Sequence, residues 1–238
     1  MHRLDKIISQ RTVYTRSEIK RLIKSGAVTV GGKVCKSPDI KLAEDSEIRV
    51  NGEKIGEKFL YLMMNKPEGV VCAVRDNTDK TVIDILPPEY HNRGLFPAGR
   101  LDKDTTGLLI LTNDGEFSHS IMSPNKKVEK YYIAETDKPL KEEHIRLFEQ
   151  GIVFRDGTKC KSAFAENLES GENFRIGVKI CEGKYHQVKK MLAVCKINVL
   201  KLTRFSIGSL SLDVNLYKGE CRKLTDVEIE QIFLVKFN

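Results

Sequence analysis

Apolar residues recur along this chain with two periods, and the changes of period divide it into elements. Near the start, Leu4, Ile7 and Ile8 lie at helical spacing, as do Ile19, Leu22 and Ile23. The second stripe follows Thr15-Arg16-Ser17-Glu18, a capping box whose hydroxyl and carboxylate satisfy free backbone N–H groups at a helix start. Gly26 is placed to end that helix. Ala27-Val28-Thr29-Val30, Gly31-Gly32 and Lys33-Val34-Cys35 then read as a hairpin with a tight two-residue turn. Ser37-Pro38, a strand around Glu47–Val50 and an Asn51-Gly52 turn close this unit, and residues 52–58 read as a linker.

Beyond the linker, strands alternate with a few helices. Phe59–Met64 is an apolar run ended by Lys66-Pro67, and Leu108–Leu111 is another, closed by Asn113-Asp114-Gly115. A short helix over Glu116–Met122 stops at Pro124, and Lys130–Glu135 is strand-like. Pro139 and Gly151 bracket a helix over Leu140–Gln150. Phe174, Ile176, Val178 and Ile180 alternate as in a half-buried strand, whereas Val188, Met191, Leu192 and Cys195 have helical spacing. Hairpin signals at Asp156-Gly157 and Ser170-Gly171 favour an antiparallel or mixed sheet over a doubly wound parallel one. The expectation is an α+β chain with a small N-terminal domain over 1–56. A larger domain over 57–238 is built on a mixed, mainly antiparallel sheet with flanking helices.

Composition narrows the function classes. At 238 residues, 40% hydrophobic and 31% charged, the chain reads as an ordinary soluble protein. No apolar run approaches the ~20 residues needed to cross a bilayer, and the charged start does not suit a secretory signal. Six scattered cysteines lack Cys-x-x-Cys spacing and read as reduced core residues of a cytoplasmic protein. The net charge of +7 is localised: residues 1–41 hold ten Lys/Arg against three Asp/Glu, and residues 42–238 hold thirty of each. A basic unit joined to a neutral one suits a nucleic-acid partner, although basic residues also merely solubilise small domains. Arg16, Lys20 and Lys24, with Arg21 beside them, lie on a different face of the second helix from its apolar stripe. That clustering favours RNA.

For chemistry, the segment with most promise is Gly99-Arg100-Leu101-Asp102-Lys103-Asp104-Thr105-Thr106-Gly107, a polar loop entering a buried strand. From the residues alone, either Asp102 or Asp104 is a candidate acid–base or nucleophilic group, set against the ordinary role of a loop Asp in capping a turn. There is no Gly-rich phosphate loop, no His-Glu-x-x-His and no nucleophile elbow.

The N-terminal order of elements, with Arg3-Leu4-Asp5-Lys6, Thr15-Arg16-Ser17-Glu18 and Gly26-Ala27-Val28-Thr29-Val30 before Gly32-Lys33, resembles the S4-like RNA-binding domain. Phe96 through Leu109, around Gly99-Arg100-Leu101-Asp102, resembles the catalytic motif of the pseudouridine synthases. Three further matches follow in the expected order: Asn65-Lys66-Pro67-Glu68-Gly69, Glu129-Lys130-Tyr131-Tyr132, and Glu182-Gly183-Lys184-Tyr185-His186-Gln187-Val188-Lys189-Lys190-Met191. The resemblance covers nearly the whole chain and is to the branch that modifies a single ribosomal RNA uridine. It implies Asp102 as the catalytic carboxylate, Tyr132 as the active-site aromatic and Lys189 as the basic partner of Asp102. It implies RNA contacts at Arg3, Arg16, Lys20, Arg21, Lys24 and Lys33, and at Lys66, Arg100, Lys184 and Lys190. Lys184 and Lys190 stand where many members have Arg, which keeps charge but not bidentate geometry.

Isomerising uridine exchanges no electrons and imports no group, so the resemblance implies no cofactor and no metal. Ala98, Ser118-His119 and Tyr185-His186-Gln187 look most like the small-subunit (16S) members, with a large-subunit (23S) uridine as the alternative target. Asp104 is expected to shape the loop and His186 to make a structural hydrogen bond; His119 is assigned no role. The chain is expected to work as a monomer on ribosomal RNA or an assembly intermediate. A non-catalytic RNA-binding protein and an RNA glycosylase are the readings from other classes, separable by product: unchanged RNA, or free uracil with an abasic site.

Overall fold

The computed structural model describes residues 1–43, 45–123, 125–168 and 174–234. Two compact units emerge, one of Met1–Leu60 with Leu86–Phe96 and Thr112–Asp114, the other of Tyr61–Ile85, Pro97–Leu111 and the chain from Gly115 onward. Pro124 and the Ser170-Gly171 turn signal lie outside the described residues.

In the first unit the order is β1 (His2–Arg3), α1 (Leu4–Arg11), α2 (Arg16–Ser25), β2 (Val28–Val30), β3 (Lys33–Val34), β4 (Lys41–Leu42), β5 (Ile48–Val50) and β6 (Glu53–Lys54). The capping box forms: Glu18 N donates to Thr15 Oγ1 at 3.4 Å, and Thr15 N donates to Glu18 Oε2 at 2.7 Å. Gly26 ends α2 at φ +83°, a left-handed conformation that costs glycine little. Leu4, Ile7, Ile8, Ile19 and Ile23 then pack on Val28, Ile48 and Val50 as one core. The sheet runs β3-β2-β5-β6, all antiparallel. Here the reading of 52–58 as linker is corrected. Asn51 and Gly52, both at positive φ, turn the chain so that β6 pairs with β5, and Ile55 enters the core.

The second unit holds β7 (Tyr61–Lys66), β8 (Phe96–Pro97, at the border of the units), β9 (Thr105–Thr112), α3 (Gly115–Met122), β10 (Lys130–Thr136), α4 (Glu142–Gln150), β11 (Phe164–Leu168), β12 (Phe174–Ile180), α5 (Gln187–Val194), β13 (Val199–Ile207), β14 (Leu210–Ser211), β15 (Cys221–Lys223) and α6 (Asp226–Gln231). Its strands run β11-β12-β10-β13-β9-β7-β15, with β14 beside β13. The pairing is antiparallel at β11/β12, β12/β10, β10/β13 and β7/β15, and parallel at β13/β9. This is the mixed, mainly antiparallel α+β sheet expected. One core gathers Met63, Leu108, Ile110, Phe117, Ile121 and Ile207. The helix expected from Leu140 begins instead at Glu142, because Leu140 N and O are both engaged by the Asn167 side chain and keep that stretch out of the helix.

Candidate active site

Asp102 stands on the loop that feeds β9, and the loop is fixed from below by a lysine. Lys66, at the end of β7, is fully buried, and its ammonium donates to Pro67 O, Lys103 O and Thr105 O at 3.0, 3.2 and 2.8 Å. Two of those carbonyls, of Lys103 and Thr105, flank Asp104 in the chain. Gly69 N adds a hydrogen bond to Lys103 O (2.9 Å), and Leu101 N donates to Cys72 Sγ at 3.3 Å. Burial lowers the Lys66 ammonium below the ordinary lysine range, against the pull of Cys72 and of the nearby carboxylates. The expected RNA contact at Lys66 is therefore corrected: all three of its donors are spent on carbonyls inside the fold, and no surface of it is left for a phosphate.

The opposite side of the loop is held by α5. Val188, Met191 and Leu192 bury the apolar face of this helix, which leaves Lys189 at its edge. Lys189 Nζ lies 3.5 Å from Asp102 Oδ2 and 2.5 Å from Asp104 Oδ1, so one ammonium bridges both carboxylates. Asp104 is held below the usual carboxylate range chiefly by that hydrogen bond. His186 precedes the helix at φ 52° and ψ 35°, an uncommon conformation for a non-glycine residue, and its Nε2 is 3.4 Å from Asp102 Oδ1. Each Asp102 oxygen thus faces a nitrogen from one turn of chain. The sequence reading gave His186 a structural hydrogen bond without naming Asp102 as its partner, and gave Lys189 Asp102 as partner without Asp104.

Asp102 borders a cleft of about 160 Å³ whose apolar walls include Leu101, Met122, Ile180, Val188 and Leu202. That is smaller than the ~300–1,000 Å³ of sites for drug-sized ligands, and suits a single ring. Strand alternation sends Lys130 and Tyr132 to one face of β10 and into this cleft, while Tyr131 turns to the other face and donates to Glu166 Oε1 at 3.0 Å. Register places Arg204 of β13 opposite Tyr132 on one side and opposite Gly107 of β9 on the other. Gly107, at φ +100°, permits this: a Cβ there would lie 2.3 Å from Arg204 O.

Of the remaining expected residues, Arg100 is exposed and lines the cleft. Lys184 also lines it, but its ammonium is engaged by Lys159 O at 2.8 Å and Glu182 at 3.3 Å. Lys190 sits over the rings of Tyr185 and Phe154, at 5.1 and 5.5 Å from their centroids, outside the cleft lining. In the first unit Arg16, Lys20, Arg21, Lys24 and Lys33 are exposed, and Arg3, also exposed, grips Asp5 through two hydrogen bonds. Arg3, Lys6, Arg16 and Lys20 line one shallow groove with Asp5. Exposed His119 lies on α3 and does not line the cleft. The six cysteines are free thiols, three of them buried.

Residues 60–194 match the family described as RNA pseudouridylate synthase, and residues 2–48 match the S4 domain. The chain belongs to the RNA pseudouridylate synthase family. Its relatives include an uncharacterized RNA pseudouridine synthase of Bacillus subtilis, 43% identical over 95% of this chain and 96% of the relative. Ribosomal small subunit pseudouridine synthase A of Vibrio cholerae is 40% identical over 97% of this chain and 99% of its own. A crystal structure of a pseudouridylate synthase, 36% identical, superposes with a TM-score of 0.68 over 98% of this chain and all (100%) of that one. Reading the sequence missed Arg204, which sits outside every motif quoted above. Lys130 lay within one of them, and its position two residues before Tyr132 in a strand was the signal that both face the same way.

Proposed function

We propose that this pseudouridine synthase isomerises one uridine of small-subunit ribosomal RNA, using the Asp102 carboxylate and no cofactor. The observation that carries the chemistry is the placing of Asp102 at the edge of a ring-sized cleft, between Lys189 and His186. Relatives named ribosomal small subunit pseudouridine synthase A, which match nearly the whole chain, support this choice of substrate.

The base must leave its stack to enter the cleft, and Arg100 at the rim is suited to hold the flipped nucleotide. The N1–C1′ bond then breaks with its electron pair left on the uracil ring. Asp102 either bonds to C1′, as a glycosidase nucleophile does, or removes the C2′ proton to leave a glycal. The ring turns, C5 bonds to C1′ as the carboxylate departs or C2′ regains its proton, the C5 proton leaves and N1 gains one. Atoms balance, and no electrons are exchanged. Lys189 and His186 hold the carboxylate in place, and Tyr132 packs on the ring and assists removal of the C5 proton. Residues 1–56 supply the RNA anchor through Arg3, Arg16, Lys20, Arg21, Lys24 and Lys33, and residues 57–238 supply the chemistry. The protein acts as a monomer in the cytoplasm, where ribosomal RNA is assembled.

The test uses RNA tritiated at uridine C5, because only bonding at C5 expels that atom. Wild-type protein releases tritium from small-subunit RNA, while Asp102→Asn binds the RNA and releases none. Normal release from Asp102→Asn would refute the mechanism, and release only from large-subunit RNA would reassign the substrate.

A further inference from the structure

Two cations are buried in the cleft without a carboxylate. Arg204 is 3% exposed; its Nε donates to Leu108 O at 2.8 Å, and its buried Nη2 has no hydrogen-bond partner. Lys130 is 4% exposed, and its ammonium donates to Ile121 O at 2.9 Å. Thr105 lines the same cleft, and its buried Oγ1 also has no partner. Glu182 is the other acidic residue of the cleft besides Asp102. It already accepts from Lys161 N and Gln187 Nε2 and pairs with Lys184. Among the described residues, then, no carboxylate pairs with Arg204 or Lys130. Burying charge unpaired is costly, and an unsatisfied buried donor adds to that cost. The stress is visible at Lys130, which burial and the nearby Arg204 push down to about 8.

We propose that Arg204, Lys130 and Thr105 form a donor floor that receives the carbonyl oxygens of the target uracil and holds the negative charge on the ring when N1–C1′ breaks. This rests on the reaction proposed above. Three observations point to a base and not to a phosphate. Leu101, Met122, Ile180, Val188 and Leu202 share the cleft with the floor residues, and such apolar side chains suit the faces of a flat ring. Asp102 must meet the sugar, and its side chain is 25% exposed, so the base extends inward from it toward the more buried Arg204. The donors also match uracil, whose O2 and O4 accept; the Thr105 hydroxyl can accept from N3–H. Cytosine would turn its N4 amino donors against two cations. When the glycosidic bond breaks, the pair left on N1 spreads to O2 and O4, where preorganised cations in a dry site stabilise it most. The floor is thus both a specificity element and an electrostatic one.

The experiment is single-turnover kinetics on small-subunit RNA carrying either uridine or 5-fluorouridine at the target. It is read by nucleoside analysis as disappearance of the N1-linked nucleoside, because C5 of the fluorinated base has no proton to expel and its rearranged product keeps the fluorine. Fluorine stabilises the ring anion by itself, so a variant that has lost the cationic floor should be partly rescued by it. Arg204→Gln should lower the rate on uridine by about 100-fold or more while changing KM by less than about 3-fold, and fluorine should recover at least about 10-fold of the loss. Arg204→Lys should fall between Arg204→Gln and wild type. Thr105→Val guards against misfolding of the Arg204 variants: it replaces an unsatisfied hydroxyl by a methyl of the same shape, so stability should hold or rise. Its turnover should nevertheless drop and its discrimination against cytidine relax. Folded variants with wild-type rates, or an Arg204→Gln defect equal on both bases, would overturn the floor alone. A wild-type protein that releases no tritium would overturn the assigned reaction, and the floor with it.

Discussion

Lys130 is unfavourable for the fold, and the proposed donor floor gives it a use. Its folded-state value of about 8 lies below the 10.5 of an ordinary lysine, with burial the main cause, Arg204 adding to it and Cys181 opposing. Between those two pH values the unfolded chain holds a proton that the native chain has lost, so raising pH through this window stabilises the native state. The difference corresponds to on the order of 3 kcal/mol. Below pH ~8 the penalty is present in full. Turnover should move in the opposite direction, falling as Lys130 loses its charge above pH ~8. Arg204, Tyr132, Glu182, His186 and Asp102 share this cleft and Cys181 acts on Lys130 from outside its lining, so the comparison is with Lys130→Met, which keeps all of them. Denaturant unfolding from pH 7 to 10.5 should show wild type gaining on the variant, and the pH–rate profile should show an alkaline limb in wild type only. Parallel profiles would show that Lys130 does not titrate there. At this scale the motifs made one pairing legible, that of Lys189 with Asp102, whose charged atoms lie 3.5 Å apart. The sequence misled at Lys66, where a basic residue in a motif proved to be an internal clamp. No local pattern announced Arg204, because what makes it distinctive is the depth at which β13 buries it.

Among the elements, the β9/β13 pair is where backbone geometry and site meet. The two strands are parallel, with Thr105 opposite Leu202 and Gly107 opposite Arg204. Close approach at Gly107 sets how far Arg204 stands from the loop of Asp102. Gly107→Ala would force a Cβ against Arg204 O and Thr203 Cγ2, at 2.3 and 2.9 Å, from a backbone at φ +100°. Backbone cannot yield as a flexible side chain would, so the variant should lose roughly 2–4 kcal/mol in denaturant unfolding and most of its turnover. An Ala variant with wild-type stability and rate would mean that these strands are not packed as described. Capped and periodic elements were readable in advance: α2 from its capping box and Gly26, β12 and α5 from their periods. By contrast β13 was not, because a bulge in its pairing with β10 and the burial of Arg204 beside exposed Leu200 and Phe205 break the alternation that marks a strand. The short β6 was hidden by its composition, since Glu53-Lys54 owes its strand conformation to the Asn51-Gly52 turn and not to any apolar face.

For the molecule as a whole, the uneven charge along the sequence underlies the proposed division between affinity and chemistry. The excess of +7 lies within residues 1–41, while Asp102, Lys189 and Tyr132 lie in residues 42–238, where thirty basic residues balance thirty acidic ones. Lys20 and Lys24 are exposed on α2, away from the buried Ile19 and Ile23, so replacing both by Ala leaves the core intact and raises helix propensity. If they meet phosphates, their loss removes counterion release without touching base recognition. Binding to matched and mismatched RNA should weaken by similar factors, and the slope of log affinity against log salt should flatten by up to ~0.9 per lost duplex contact. Turnover at saturating RNA should stay near the wild-type value, because the carboxylate and its partners are unchanged. Affinity measured over a series of salt concentrations, beside single-turnover rates at saturation, distinguishes the outcomes. A folded double variant with an unaltered slope would make this face a solvated surface, and the anchoring would then have to be sought in the other basic residues of the first unit.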